Sequence, residues 1–222
     1  MSKIRIQKYL SNEGILSRRQ AEKAMMEGHV SVNGVVVTEL GTKINPEKDK
    51  VELSDAIKNK TYIYLAFYKP KHIVTNLAQG NEKEIRDLLP AEYKHLSAVG
   101  RLDKDSEGLI LLTDDGLFAK HYLEPNIEHK RLYEIKVNKD LDSDMIDIME
   151  DHMLLDGYTL KPCSVKRLAS KHFTIELTEG KNRQIRRMVE AVGSKVVFLK
   201  RLKFGPYELG SLKKGEFKTV SK

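Results

Sequence analysis

Residues 99–113, Val99-Gly100-Arg101-Leu102-Asp103-Lys104-Asp105-Ser106-Glu107-Gly108-Leu109-Ile110-Leu111-Leu112-Thr113, constrain the fold more than any other stretch of this chain. An apolar residue and a glycine lead into a highly charged turn, and the chain then enters a short apolar run bounded by further turn residues. Such a run reads as a strand, which places Asp103 at a strand edge. An aspartate there, flanked by Arg101 and Lys104, can be held ionised and still face a cleft, as a nucleophile or a general base requires. A solvated turn between two strands has the same pattern, so residue types alone leave both readings open.

At 222 residues the chain can hold a small module and a second domain with its own core. Hydrophobic residues at 40% and charged residues at 32% suit a soluble globular protein. No apolar run approaches the roughly 18 residues of a membrane span. Met1-Ser2-Lys3-Ile4-Arg5 lacks the apolar core of a signal peptide, and the chain reads as cytoplasmic. Cys163 is the only cysteine, which excludes an internal disulfide and a cysteine-cluster zinc site; it reads as a packed sheet residue. The net charge of +7 is unevenly spread: residues 1–34 carry six Lys/Arg against three Asp/Glu, residues 161–222 carry sixteen against five, and the middle is acidic. Two basic ends suit a polyanion, because Lys/Arg neutralisation of phosphates supplies most non-specific nucleic-acid affinity.

Ile6, Tyr9 and Leu10 recur at helical spacing until Gly14, predicting a helix over about 4–13. Ser17 and Gln20 form a capping-box pair for a second helix, which ends near Gly28 and points Ala21, Ala24 and Met25 inward. Val30-Ser31-Val32-Asn33-Gly34-Val35-Val36-Val37 carries the Asn-Gly hairpin signal. The polar run 54–61 reads as a linker that lets flanking modules move. Beyond it, strands are predicted over 62–68, 95–99, 109–113, 130–137, about 160–168, 172–178 and 196–204. Helices are predicted over 82–89, ended by Pro90, and over 117–123 and 142–151. The run from Glu179 to Met188 opens a further helix, with Ile185, Met188, Val189 and Val192 as its apolar face.

Gly100-Arg101-Leu102-Asp103 followed by Ser106-Glu107-Gly108-Leu109 resembles the catalytic aspartate motif of the pseudouridine synthases, in particular the branch that modifies bacterial ribosomal RNA. Lys130-Arg131-Leu132-Tyr133 is similar to the family's second motif, Arg/Lys-x-Tyr, and Gly180 to Arg186 to its third, Gly-x-x-x-Gln-x-Arg. Where the family usually has Lys-Pro-x-Gly and then a threonine or serine, this chain has Lys69-Pro70-Lys71-His72 and Thr75, without the glycine. Residues 3–50 resemble the RNA-binding module named after the fourth small-subunit ribosomal protein. That likeness rests mainly on Ser17-Arg18-Arg19-Gln20-Ala21 and Val30-Ser31-Val32-Asn33-Gly34.

The resemblance implies an α+β fold: a small helix-helix-hairpin RNA-binding module over 1–53, the linker 54–61, and a catalytic domain over 62–222 with a mixed, mainly antiparallel sheet flanked by helices. It implies uridine-to-pseudouridine isomerisation, which needs no redox step or group donor, hence no metal and no cofactor. Asp103 takes the covalent or proton-abstracting role, Arg186 pairs with it, and Tyr133 stacks on the base and handles the proton at carbon five. Arg18, Arg19 and Lys23 in the module, and Arg101, Lys181, Arg183 and Arg187 around the site, are the expected RNA contacts. The partner is ribosomal RNA or a pre-ribosomal particle, bound by a monomer without a membrane. Arg183, where some small-subunit enzymes have histidine, favours large-subunit RNA. Two rivals remain at this stage: a non-catalytic RNA-binding or ribosome-assembly protein on the same scaffold, and a glycosidic hydrolase using Asp105 or Glu107 as a second carboxylate.

Overall fold

The computed structural model describes residues 3–222; Met1 and Ser2, read above as part of a start without a signal sequence, lie outside the described residues. The chain divides into two compact units. One comprises the residues up to Ile63 with Thr113–His121 and Lys222, and the other Tyr64–Leu112 with Tyr122–Ser221.

In the first unit the two expected helices are Ile6–Asn12 and Arg18–Met26. The first starts later than its periodicity suggests, because Ile4–Arg5 is extended and pairs with Lys43–Ile44. The second is capped as its sequence says: Ser17 Oγ accepts from Gln20 N, and Gln20 Oε1 accepts from Ser17 N at 2.9 Å. The hairpin turns at Asn33 and Gly34, both at positive φ, and Val51–Leu53 adds a third strand against Val30–Val32. Ile6, Leu10, Leu16, Ala21, Ala24, Met25, Val30 and Ile44 form the core. Gln20 also donates to the carbonyl of Asp114 at 3.0 Å. A Cβ on Gly116 would fall 2.2 Å from Ser17 Oγ, so the Asp114-Asp115-Gly116 turn packs directly on the capping box. Within the stretch read as a linker, Asp55–Lys58 forms a single helical turn.

The second unit is built on a nine-stranded sheet. Its main path runs Ser164–Ala169, His172–Leu177, Arg131–Val137, Val196–Phe204, Glu107–Thr113, Tyr64–Lys69, Phe217–Thr219. Val196–Phe204 runs parallel to Glu107–Thr113, and the other registered pairs are antiparallel. Strand composition follows position. Glu107–Thr113 is buried at every residue and its centre, Leu109 to Leu112, is therefore apolar without alternation, whereas Arg131–Val137 and His172–Leu177 alternate because only one face is covered. That face carries Tyr133, Ile135, Val137, Phe173, Ile175 and Leu177. It packs against Met149 of the Ser143–Glu150 helix and Ile185, Met188 and Val189 of the Gln184–Ala191 helix.

Four local expectations are corrected. Residues 82–89 hold only a 3-10 turn, Ile85–Leu88, because Val74 and Glu84 form a bridge ahead of it and Leu89 must be extended before Pro90. The strand expected from 160 starts at Ser164, since the residues before Pro162 belong to a separate hairpin, Leu154–Leu155 with Tyr158–Thr159. The helix opening within 179–188 starts at Gln184, after a turn in which Arg183 has φ +46°. Phe217–Thr219, not anticipated, pairs with Tyr64–Lys69. Among the described residues no helix is long and apolar enough to cross a membrane. Cys163, half-buried, donates to the carbonyl of Met149, and burial pushes its thiol up to about 11, in keeping with a packed residue.

Candidate active site

Asp103 stands in the loop between Ser97–Val99 and Glu107–Thr113, and Thr75 and Gly108 set the course of that loop. Buried Thr75 donates to the carbonyl of Leu102 at 2.8 Å, and its Oγ1 accepts from the amide of Leu102 at 3.1 Å. The amide of His72 donates to the carbonyl of Lys104 at 2.8 Å, so residues 72–75 clasp the aspartate loop on both sides. His72 occupies the position of the glycine the family motif usually has, and it takes the conformation a glycine would take freely, φ +68°. At the far end of the loop, Gly108 lies at φ +110° beside the backbone of Arg201. A Cβ there would fall 2.3 Å from the carbonyl oxygen of Arg201. The glycine in Ser106-Glu107-Gly108-Leu109 is thus a packing requirement of the parallel pair that carries the site.

The side chain of Asp103 is one-third exposed and faces two arginines. Arg183 Nη1 lies 3.5 Å and Arg186 Nε 3.9 Å from its Oδ2. Arg186 also donates through Nη2 to the carbonyl of Asp105 at 3.1 Å and to Ser106 Oγ at 3.2 Å, which ties the helix to the loop. Its Nε is buried and makes no hydrogen bond. Burial lowers the pKa of its guanidinium; Arg183 lowers it further, and Asp103 and Asp105 oppose the shift. Tyr133, 8% exposed, lines the same cleft together with Asp103, Arg101, Lys181, Arg183 and Arg186. The cleft measures about 250 Å³. A cavity of roughly 150 Å³ suffices for a benzene ring, so one flat pyrimidine fits.

The third motif acts through its glutamine. Gln184 is buried; its Oε1 accepts from the amide of Lys181 at 2.9 Å and its Nε2 donates to Glu179 at 3.1 Å, which holds the turn that presents Lys181 and Arg183. Arg187 is not a cleft residue: its Nη1 pairs with Asp156 at 2.6 Å. In the other unit Arg18 and Arg19 are exposed at the start of their helix, and Lys23 pairs with Glu27 at 3.7 Å.

Sequence reasoning missed Lys69. It is fully buried, and its ammonium donates to the carbonyls of Pro70 at 2.9 Å and Ile73 at 2.6 Å. Burial pushes its pKa down to about 8, against the pull of Asp103, Glu107 and Asp105. The Lys69-Pro70 pair was visible, but nothing in a single sequence says that a lysine closing a strand turns inward. Glu107 is also committed: it accepts from Tyr68 OH at 2.6 Å and pairs with Lys214 at 2.9 Å. Burial alone would raise its carboxyl, but the Tyr68 hydroxyl and Lys214 hold it below the usual range.

A carboxylate facing two arginines beside a buried tyrosine, in a cleft sized for one ring and rimmed by cations, defines an enzyme site for an anionic, ring-bearing substrate. A family model described as RNA pseudouridylate synthase matches residues 63–191, and one described as S4 domain matches residues 4–51. An uncharacterized RNA pseudouridine synthase of Aquifex aeolicus is 36% identical over 100% of this chain and 92% of its own length. Ribosomal large subunit pseudouridine synthase B of Bacillus subtilis is 34% identical over 98% of this chain and 92% of its own. A crystal structure of a pseudouridylate synthase matches with a TM-score of 0.73 at 28% identity, covering 98% of this chain and 96% of that one. The chain therefore belongs to the RNA pseudouridylate synthase family.

Proposed function

We propose that this enzyme isomerises uridine in large-subunit ribosomal RNA, free or in a pre-ribosomal particle, as a cytoplasmic monomer, and that Asp103 is its nucleophile or base. The observation that carries the reading is the placement of Asp103, facing Arg183 and Arg186, in one cleft with Tyr133. The reaction breaks the bond from ribose C1′ to N1, turns the base over, joins C1′ to C5 and removes the proton at C5, while N1 takes up a proton, so that product and substrate are isomers. Every atom stays within one nucleotide except the exchanged proton, so the chemistry calls for neither redox partner nor group donor.

Asp103 can attack or abstract only as a carboxylate, and the guanidiniums of Arg183 and Arg186 face its Oδ2 at 3.5 Å and 3.9 Å. Arg183 donates through Nη1 to the carboxylate at 3.5 Å, and Arg186 stands at ion-pair distance with its Nε still without a hydrogen-bond partner. Tyr133 offers its ring face to the base and its hydroxyl to the proton at C5. The target must leave its stack to enter the cleft, so Arg101, Lys181 and Arg183 at the rim hold the flanking backbone; Arg18, Arg19 and Lys23 of the N-terminal module meet RNA phosphates on their own account. The relative from Bacillus subtilis, named for the large ribosomal subunit, supports that choice of RNA. Hydrolysis through Glu107 is disfavoured because that carboxylate is bound to Tyr68 and Lys214; a hydrolase would have to use Asp105 to position water.

Asp103→Asn keeps the shape and removes the charge. We expect pseudouridine formation on ribosomal RNA fragments to fall below detection while the dissociation constant for the same fragments changes less than about threefold. Activity within tenfold of wild type would sink the assignment of Asp103, and release of free uracil by the wild type would point to the hydrolase.

A further inference from the structure

Beside the cleft stands the small hairpin Leu154–Leu155/Tyr158–Thr159, which belongs to no larger sheet. Its two-residue turn is Asp156 at φ +49° and Gly157 at φ +79°. Leu155 points into the core at 8% exposure, which anchors the hairpin, while its register partner Tyr158 stands out at 62%. Two contacts tie the hairpin to the segment that builds the cleft. The ammonium of Lys181, a cleft residue, lies 5.4 Å from the centroid of the Tyr158 ring, and Arg187 holds Asp156 at 2.6 Å.

An aromatic ring left this exposed on its hairpin, with the Lys181 ammonium beside it at the mouth of a cleft, is a platform on which a base can stack. We propose that Tyr158 stacks on the base of a nucleotide next to the target uridine, with Lys181 meeting the phosphate between them. The inference rests on the RNA-modifying role proposed above and deepens it by naming a specificity element. Two features favour a nucleic-acid base over a protein partner: the Lys181 ammonium beside the ring, and the nearness of the ring to a cleft that takes one nucleotide. Stacking also gives the exposed ring a role. Pulling one uridine out of its stack leaves its neighbour with a bare face, and a fixed ring can cover that face at little entropic cost.

The experiment uses the full chain and overlapping transcribed fragments of large-subunit ribosomal RNA. The fragment that wild type modifies becomes the probe; if none is modified, the fragment bound most tightly serves, with affinity as the readout, so the two readings fail separately. Abasic nucleotides are placed one at a time through three positions on each side of the modified uridine, or along the whole probe when none is modified. On intact RNA, Tyr158→Ala should raise KM, or the dissociation constant, roughly tenfold, the order of one lost base–aromatic stack. Tyr158→Trp and Tyr158→Phe should stay within about twofold of wild type. One abasic position should weaken wild type about as much as Tyr158→Ala does and should weaken Tyr158→Ala no further. Equal abasic losses in wild type and Tyr158→Ala, no loss in Tyr158→Ala, or a Tyr158→Phe defect matching Tyr158→Ala would overturn the proposal.

Discussion

At residue scale the site depends on groups held where they are uncomfortable. Lys69 keeps an ammonium in a buried position with a pKa near 8, below its ordinary value. Between about pH 8 and the usual lysine range the unfolded chain binds a proton that the folded chain has released, so Lys69 makes stability rise with pH there. Below pH 8 both states are protonated and the burial cost is felt in full. Urea unfolding of wild type and Lys69→Met from about pH 7 to 10 should therefore show wild type gaining on the variant as pH rises, by up to about 3 kcal/mol; a constant difference would mean that Lys69 titrates normally. His72 carries a different strain. Its positive φ costs a side-chain-bearing residue about 1–2 kcal/mol, and glycine's extra unfolded-state freedom costs about 0.5–1 kcal/mol. His72→Gly should then stabilise the fold by up to about 1 kcal/mol, and His72→Val should destabilise it, both read from urea midpoints.

At the scale of elements, the parallel contact of Val196–Phe204 with Glu107–Thr113 holds the aspartate loop in place, and it tolerates only glycine at 108. Gly14 is the comparison: it too has positive φ, +67°, but a Cβ there would meet nothing within 4 Å. Gly14→Ala should cost about 1–2 kcal/mol from backbone strain alone, and Gly108→Ala at least about 3 kcal/mol, because strain and overlap with the Arg201 backbone combine. Thermal denaturation of the two variants checks the difference, and equal losses would show that the strands separate without penalty. The elements also explain what was legible. Capping at Ser17 and Gln20 and the Asn33-Gly34 turn are local rules, and both formed as written. The Asp156-Gly157 hairpin carries the same kind of signal, but its strands are only two residues long and lie between longer patterns that mask it.

At the scale of the whole molecule, charge is the property that a sequence reports before any fold is known. Both basic ends suit an RNA partner, and the N-terminal contribution can be isolated. Replacing Arg18, Arg19 and Lys23 together by Ala should weaken binding to ribosomal RNA fragments and reduce the slope of log K against log salt by up to about 0.7–0.9 per lost phosphate contact. Lys23 is partly engaged by Glu27, so a total near two contacts is expected; an unchanged slope would make these side chains a solvated face. The sequence by itself determined the family, the order of most elements and the three motifs around Asp103, Tyr133 and Arg186, because periodicity, caps and turn chemistry act over a few residues and motifs preserve their spacing. Only the tertiary structure decided that Arg183 shares the carboxylate with Arg186, that Arg187 turns to Asp156, that Glu107 is occupied by Tyr68 and Lys214, and that Lys69 is buried. Each of these joins residues that lie far apart in the chain or turn to a face the local pattern does not name, and such choices are made by packing and desolvation when the sheet closes.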